Sequence, residues 1–254
     1  MKTSLLSVTF RKKTVEEIVD LAAQGGVDAI EWGSDVHVPP TDPENAKRAF
    51  NLCREKGLEV SAYGTYYRCD GADFAPYLQT AQILQTRVIR VWAGSLGSRE
   101  CPEETRSAIV ENLKKAVKMA EGTGCIIALE YHPYTLTDTL ESTQALLRDV
   151  PGLYSYWQFV LDLSVEENLS HIEALGEAVQ NIHAYYYEGK QQSSMASGEE
   201  TWKRYLTKAQ QCTQAGYVGL EFVRGGTAEQ FLEDAAALRK IVESIGQYQD
   251  LLGY

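Results

Sequence analysis

No run of apolar residues in this 254-residue chain approaches the ~20 needed to cross a bilayer, which excludes a membrane-spanning helix. Cysteine is sparse and unpatterned. Five residues (Cys53, Cys69, Cys101, Cys125 and Cys212), odd in number and with no C-x-x-C spacing, argue against a disulfide framework and a zinc knuckle. Positive charge is in deficit, with 24 Lys and Arg against 35 Asp and Glu and a net charge of −11. That balance disfavours non-specific attraction to DNA or anionic lipid. The one dense cationic run is Arg11-Lys12-Lys13, too short for a basic groove, so neither a nucleic-acid nor a membrane partner is expected. No Pro/Ser/Gly-rich linker interrupts the chain, and residues 1–254 read as one domain. The first residues lack the apolar core and small-residue cleavage site of a signal peptide and read as a strand, so the expected location is cytoplasmic.

What the chain does contain is alternation. Segments rich in Val, Ile, Tyr and Trp at Leu5–Phe10, Ala29–Gly33, Leu58–Gly64, Val88–Ala93, Cys125–Tyr131, Tyr154–Phe159, Ile182–Tyr187 and Val218–Val223 read as strands. Amphipathic segments lie between them: Thr14–Gln24, Pro43–Lys56, Phe74–Gln85, Pro102–Glu121, Ser142–Asp149, Glu167–Val179, Glu200–Ala215 and Ala228–Ile245. Thr14 and Glu17 form a capping-box pattern, and Gly25-Gly26 closes the helix they open. Repeated strand–helix pairs imply a parallel sheet covered by helices, and a count of eight favours an α/β fold of the closed (β/α)₈ TIM-barrel type. The polar Glu188–Gly198 segment and Gly94–Pro102 are read as loops on the catalytic rim, lids or plain connections.

Four strand ends carry the chemistry. Glu130, Gln158, His183 and Glu221 each terminate an apolar segment, and a buried carboxylate, carboxamide or imidazole must find a partner. Sharing one divalent cation is one solution; pairing of each glutamate with Arg90 or Arg224 is the other. A carboxamide carries no charge, so Gln158 is the weakest ligand of the set, with Asp162 as a fallback. His132 lies two residues beyond Glu130, and Glu31 and His37 flank the exit of the second strand. With the aromatic Tyr63 and Trp92, and with Arg224 before the last helix, these are the candidate substrate contacts. The stretch Arg224-Gly225-Gly226-Thr227 could hold a phosphate at a helix N-terminus or form a turn, and the turn is preferred. His171 falls in a helical stretch and is read as surface.

On Ala-Leu-Glu130-Tyr-His132, Ile-His183, Gly-Leu-Glu221-Phe-Val and the earlier Ile-Glu31-Trp-Gly, the whole chain resembles the xylose isomerase-like barrels. That superfamily comprises sugar isomerases, sugar epimerases and apurinic endonucleases. The resemblance implies one divalent metal held by Glu130, Gln158, His183 and Glu221, with Gln158 standing where the family has Asp. A family histidine and arginine are replaced by Leu161 and by the Tyr185–Glu188 stretch. Four histidines are too few for the trinuclear zinc site of the endonucleases. The implied activity is sugar or sugar phosphate isomerisation or epimerisation through a metal-stabilised enediolate, with Glu130 and Glu221 as paired bases. Oxygen and nitrogen ligands without thiolate suit Mn²⁺ first, then Mg²⁺, Co²⁺ or Zn²⁺. A lyase or dehydratase on the same site is one alternative, and a sugar-binding barrel without catalysis is another. The partner expected is a small-molecule sugar; a homo-oligomer is left open.

Overall fold

A computed structural model describes residues 1–252, with side chains to residue 246. Eight strands close a parallel barrel, with a helix after each one. The first half runs β1 Lys2–Leu6, α1 Val15–Gly25, β2 Ala29–Gly33, α2 Pro43–Glu55, β3 Glu59–Gly64, α3 Ala75–Ile83, β4 Val88–Val91 and α4 Glu103–Ala120. The second half opens with β5 Ile126–Leu129, α5 Leu140–Asp149, β6 Leu153–Trp157, α6 Val165–Leu175 and β7 Val179–Ala184. A short hairpin follows (β8 Tyr186–Glu188, β9 Gln191–Ser193), then α7 Glu199–Cys212, β10 Tyr217–Leu220 and α8 Ala228–Leu252. The barrel order β1-β10-β7-β6-β5-β4-β3-β2 is the sequential ring that eight strand–helix units demand. Among the described residues no helix is long and apolar enough to span a membrane.

Local chemistry sets the helix boundaries. Thr14 accepts the Glu17 N–H while Glu17 returns a bond to the Thr14 N–H, and Gly26 closes α1 at φ 65° with its own N–H on Ala22 and Ala23 carbonyls. Ser164 and Glu167 repeat the capping box at α6. The apolar stripe Ile18, Val19, Leu21 and Ala22 then faces the barrel wall. At the N-terminal end of α8, Arg224 and Gln230 bond to each other, and Thr227 accepts the Gln230 N–H, which makes this corner a turn.

β4, β5, β6 and β10 stop two or three residues short of the sequence expectation, and two other strands differ more. The first strand ends at Leu6, because Ser7–Phe10 turns into a 3₁₀ segment in which the Ser7 hydroxyl accepts the Gly33 N–H at 2.9 Å. The seventh strand breaks at Tyr185 instead of running to Tyr187. Its barrel neighbour β10 pairs only as far as Ala184, and the chain beyond folds back as β8 on β9. Glu188–Gly198, expected as a loop, is therefore a hairpin arm and a 3₁₀ turn, tethered where Met195 N–H donates to Asp234 at 2.8 Å.

Strand parity positions the site. Side chains two apart share a face, so Ala128 with Glu130, Tyr156 with Gln158, Asn181 with His183 and Gly219 with Glu221 form inward pairs ascending to the C-terminal mouth. Trp157, of opposite parity, packs outward on Trp202 and Tyr205 of α7.

Replacing Thr14 with Ala removes one half of the α1 capping box. We expect a loss of about 1 kcal/mol in urea unfolding, with the fold retained; an unchanged midpoint would show that the cap does not stabilise the helix.

Candidate metal and active site

At the C-terminal mouth, Glu130 follows β5, His183 sits in β7 and Glu221 follows β10. Each offers one ligand atom within 4.8 Å of the other two. His183 is the pivot. Its Nδ1 stands 3.3 Å from Glu221 Oε2 and 3.9 Å from Glu130 Oε1, yet is aligned for a hydrogen bond to neither. Its Nε2 faces Glu31 Oε2 at 3.5 Å. Arg90, in β4, donates from Nε to Glu31 Oε1 at 2.9 Å and from its other arm to Glu130 Oε2. Glu130 thus keeps Oε1 for the space in front of Nδ1. The side chains of Glu31, Arg90, Glu130 and His183 are at most 4% exposed.

Three carboxylates in one dry recess are costly unless countered. Burial pushes the Glu31 carboxyl up, but the positive His183 and Arg90 prevail and hold it at about 2. Burial works against charge on His183, and Glu221 and Glu31 overcome it, lifting the imidazole to about 10. Glu130 is raised by burial and by Glu221 despite Arg90, while Glu221 is drawn below the usual range by His183 against its own burial. Without an ion, His183 and Arg90 balance the cluster as cations. A divalent ion would displace the proton on Nδ1.

The donor set fits such an ion. Gln158, one residue past β6, is buried and its Oε1 has no hydrogen-bond partner; His183 Nδ1 is likewise unpartnered. An unpartnered buried carboxamide oxygen, and an imidazole nitrogen that meets two carboxylates only as an ion pair and would give up its proton, are donors that a divalent cation can use. Glu130, Gln158, His183 and Glu221 would hold it. Gln158 also lines a cavity of about 220 Å³, together with His132, Asp138 and Tyr185. Asp162 is exposed there and is not among the residues that converge.

The other expected contacts divide. Glu31 lies inside the cluster, bonded to Arg90 and His183. His132 and Trp92 stand together on the rim, ring centroids 4.6 Å apart, with His132 Nδ1 on the Pro133 carbonyl at 2.6 Å. Three candidates are occupied elsewhere. His37 spends both ring nitrogens on Ser7 Oγ (3.0 Å) and the Lys13 carbonyl (3.1 Å), and burial lowers its pKa. The fully buried Tyr63 donates its hydroxyl to the Val38 carbonyl at 2.7 Å. Arg224 is exposed and its guanidinium holds Gln230. His171 is half-buried against the Tyr131 hydroxyl.

Sequence reading missed Arg90 as a site residue, treating it only as a rival partner for the glutamates; the cluster uses both arrangements at once. The signal was available, since Val88-Ile89-Arg90-Val91 is an apolar strand with a buried cation. Tyr156 and Asn181 were missed as well. Gly64 has a defined role beside Arg90: a Cβ there would lie 2.7 Å from both Arg90 Nη2 and Glu31 Oε1, so only glycine lets the pair close.

Residues 19–164 match the family described as xylose isomerase-like TIM barrel. The chain belongs to that family. A curated relative, a 3-dehydroshikimate dehydratase of Bacillus anthracis, is 30% identical over 162 residues, covering 59% of this chain. The chain spans 58% of that relative's length. The solved structure of the probable 3-DHS dehydratase AsbF from Bacillus anthracis, involved in petrobactin synthesis, superposes with a TM-score of 0.78 at 22% identity, covering 94% of this chain and 99% of that one. D-psicose 3-epimerase gives 0.68 at 12% identity, with 94% and 98% covered. The IOLI protein, solved with a bound zinc atom, gives 0.75 at 14%, with 96% and 99% covered. At such identities these structures speak for the fold alone. Enzymes of more than one reaction class, and at least one metal-bound protein, share it.

Because His183 is lifted to about 10 in the ion-free protein, a metal must evict a proton at neutral pH. We expect Mn²⁺ affinity to rise between pH 6 and 8 by up to about tenfold per unit, with at least one proton released per ion, read by calorimetry in buffers of different ionisation enthalpy. Gln158→Asp should tighten binding by about tenfold or more, roughly 1.4 kcal/mol. Affinity flat with pH, or heats independent of buffer, would remove His183 from the ligand set.

Proposed function

We propose that this protein is a divalent-metal-dependent lyase that removes water from a hydroxylated ring ketone of the 3-dehydroshikimate kind. The observation that carries the reaction type is the 162-residue match to a 3-dehydroshikimate dehydratase. It favours elimination over the sugar isomerisation expected from the sequence. The converging Glu130, His183 and Glu221 support a metal centre that serves either chemistry.

An ion held by these residues would supply positive charge for a substrate carbonyl oxygen, which would make the neighbouring C–H more acidic. Everything else falls to side chains. Glu130 and Glu221 have pKa values pushed in opposite directions, the usual sign of an acid–base division of labour. Glu130 takes the proton from the carbon next to the carbonyl. The electrons of that C–H bond form a C=C bond, the β C–O bond breaks, and the departing hydroxide takes the proton that Glu130 removed, leaving as water and returning Glu130 to its carboxylate. Arg90 keeps positive charge beside Glu130, and the Trp92–His132 pair walls the rim where a flat ring would lie. Mn²⁺ is our first choice of ion, with Mg²⁺, Co²⁺ and Zn²⁺ as the other members of the class that these ligands suit.

Isomerisation or epimerisation of a ketose is the second reading, and the paired glutamates favour it, since two carboxylates can remove and return one proton. Product mass separates the two. Incubated with 3-dehydroshikimate and Mn²⁺, the protein should yield a product lighter by one water, and Glu130→Gln should slow its formation by roughly 10²–10⁴-fold. A ketose converted to an isomer without loss of water, and gaining one deuterium when the reaction is run in D₂O, would establish the second reading instead. Turnover of neither substrate class by ion-loaded protein would overturn both.

A further inference from the structure

Below the carboxylates the barrel interior holds two polar side chains that the chemistry above does not use. Tyr156 and Asn181 are almost wholly buried, 1% and 3% exposed, and face each other across β6 and β7. Asn181 Nδ2 donates to the Tyr156 hydroxyl oxygen at 2.9 Å and also approaches the Ser61 carbonyl at 3.4 Å. With that lone pair taken, the Tyr156 O–H is directed to Glu31 Oε2 at 3.1 Å. The same Oε2 faces His183 Nε2. Glu31 Oε1 is occupied by Arg90. The edge of the Tyr156 ring packs against the imidazole, centroids 4.9 Å apart and planes at 78°.

The file Asn181–Tyr156–Glu31–His183 has a chemical consequence. A carboxylate held under Nε2 keeps a proton on that nitrogen, which leaves the lone pair on Nδ1. Nδ1 is the atom turned toward Glu130 and Glu221. A tyrosine is needed for this, because phenylalanine could fill the volume but not constrain Oε2. An isolated buried hydroxyl is unfavourable unless both its donor and acceptor sides are met, and here both are.

We propose that Tyr156, oriented by Asn181, is a positioning residue for the metal centre: it fixes Glu31 so that Glu31 selects the His183 tautomer whose Nδ1 can bind the ion. Glu31 is accordingly a second positioning residue and not a substrate contact. The inference rests on the metal centre of the proposed function, and not on whether the reaction is elimination or isomerisation.

The test compares Tyr156→Phe with wild type in full-length protein. We expect Mn²⁺ affinity by calorimetry to fall about tenfold, the lower end of the range for loss of such an outer partner. With diamagnetic Zn²⁺ in place of Mn²⁺, ¹⁵N spectra of His183 should show Nε2–H exchanging faster with solvent in the variant. Asn181→Leu, which spares the hydroxyl but removes its anchor, should give a smaller loss and provides the reading if Tyr156→Phe does not fold. Wild-type affinity and wild-type Nε2–H exchange in the folded variants would overturn the inference and leave the metal centre standing. Failure of wild-type protein to bind either ion would overturn both.

Discussion

Three carboxylates meet in one barrel mouth, Glu31 and Glu130 buried and Glu221 partly so, and the arrangement around them offsets their repulsion. Removing a charge from water costs several kcal/mol even after the surroundings relax. Glu31, Glu130 and Glu221 are countered by Arg90 and by a protonated His183. That leaves the cluster one positive charge short, and a divalent ion that displaces a single proton would balance it. The same accounting gives Gln158 a physical meaning. A carboxylate at that position would strengthen ion binding but add a fourth negative group to the ion-free recess. In the proposed metal centre the carboxamide would give up affinity and keep the ion-free state tolerable. Gly64 follows from the same constraint, since the Arg90–Glu31 pair occupies the space where any larger residue would put its Cβ.

Much of the fold was legible because closed barrels repeat one simple pattern. Each of the eight barrel strands overlaps its expected apolar segment, and the Thr14–Glu17 capping box and the glycine behind α1 are where the sequence puts them. Strand ends were not legible to the residue. Hydrophobicity continues through Phe10 and Tyr187, but hydrogen-bonding partners stop at Leu6 and Ala184, and it is the partner that ends a strand. Of the candidate site, Glu130, His183 and Glu221 converge, and they were legible because an apolar strand closing on a polar group needs an explanation. Arg90 and Asn181 obey the same rule within a strand. They were passed over because each sits below the rim and looks like an isolated exception.

The contacts placed in loops fared differently. His37 and Arg224 are near the rim in sequence, yet each is used to tie down its own connection, and Tyr63 holds the backbone at Val38. Proximity along the chain carries no information about the direction a side chain takes. Strand parity does: Glu31, within β2, turns inward to Arg90 and His183. The family assigns the barrel but not the reaction, because barrels of this kind host unrelated chemistries on loops and strand ends. Here Leu161 and the Tyr185–Glu188 stretch stand where the resemblance implies a histidine and an arginine, and Tyr185 has its hydroxyl on the Phe159 carbonyl. The wall of the 220 Å³ cavity is therefore less basic than the resemblance implies.

The most direct measurement is a crystal structure grown with Mn²⁺ and recorded at a wavelength where the ion scatters anomalously. We expect a single strong peak bounded by Glu130 Oε1, His183 Nδ1, Glu221 and the Gln158 carboxamide oxygen, with Arg90 still on Glu31. A mouth without a peak, with His183 remaining ion-paired to Glu221, would contradict the account: the buried acids would then be a self-neutralised structural cluster and not a metal site.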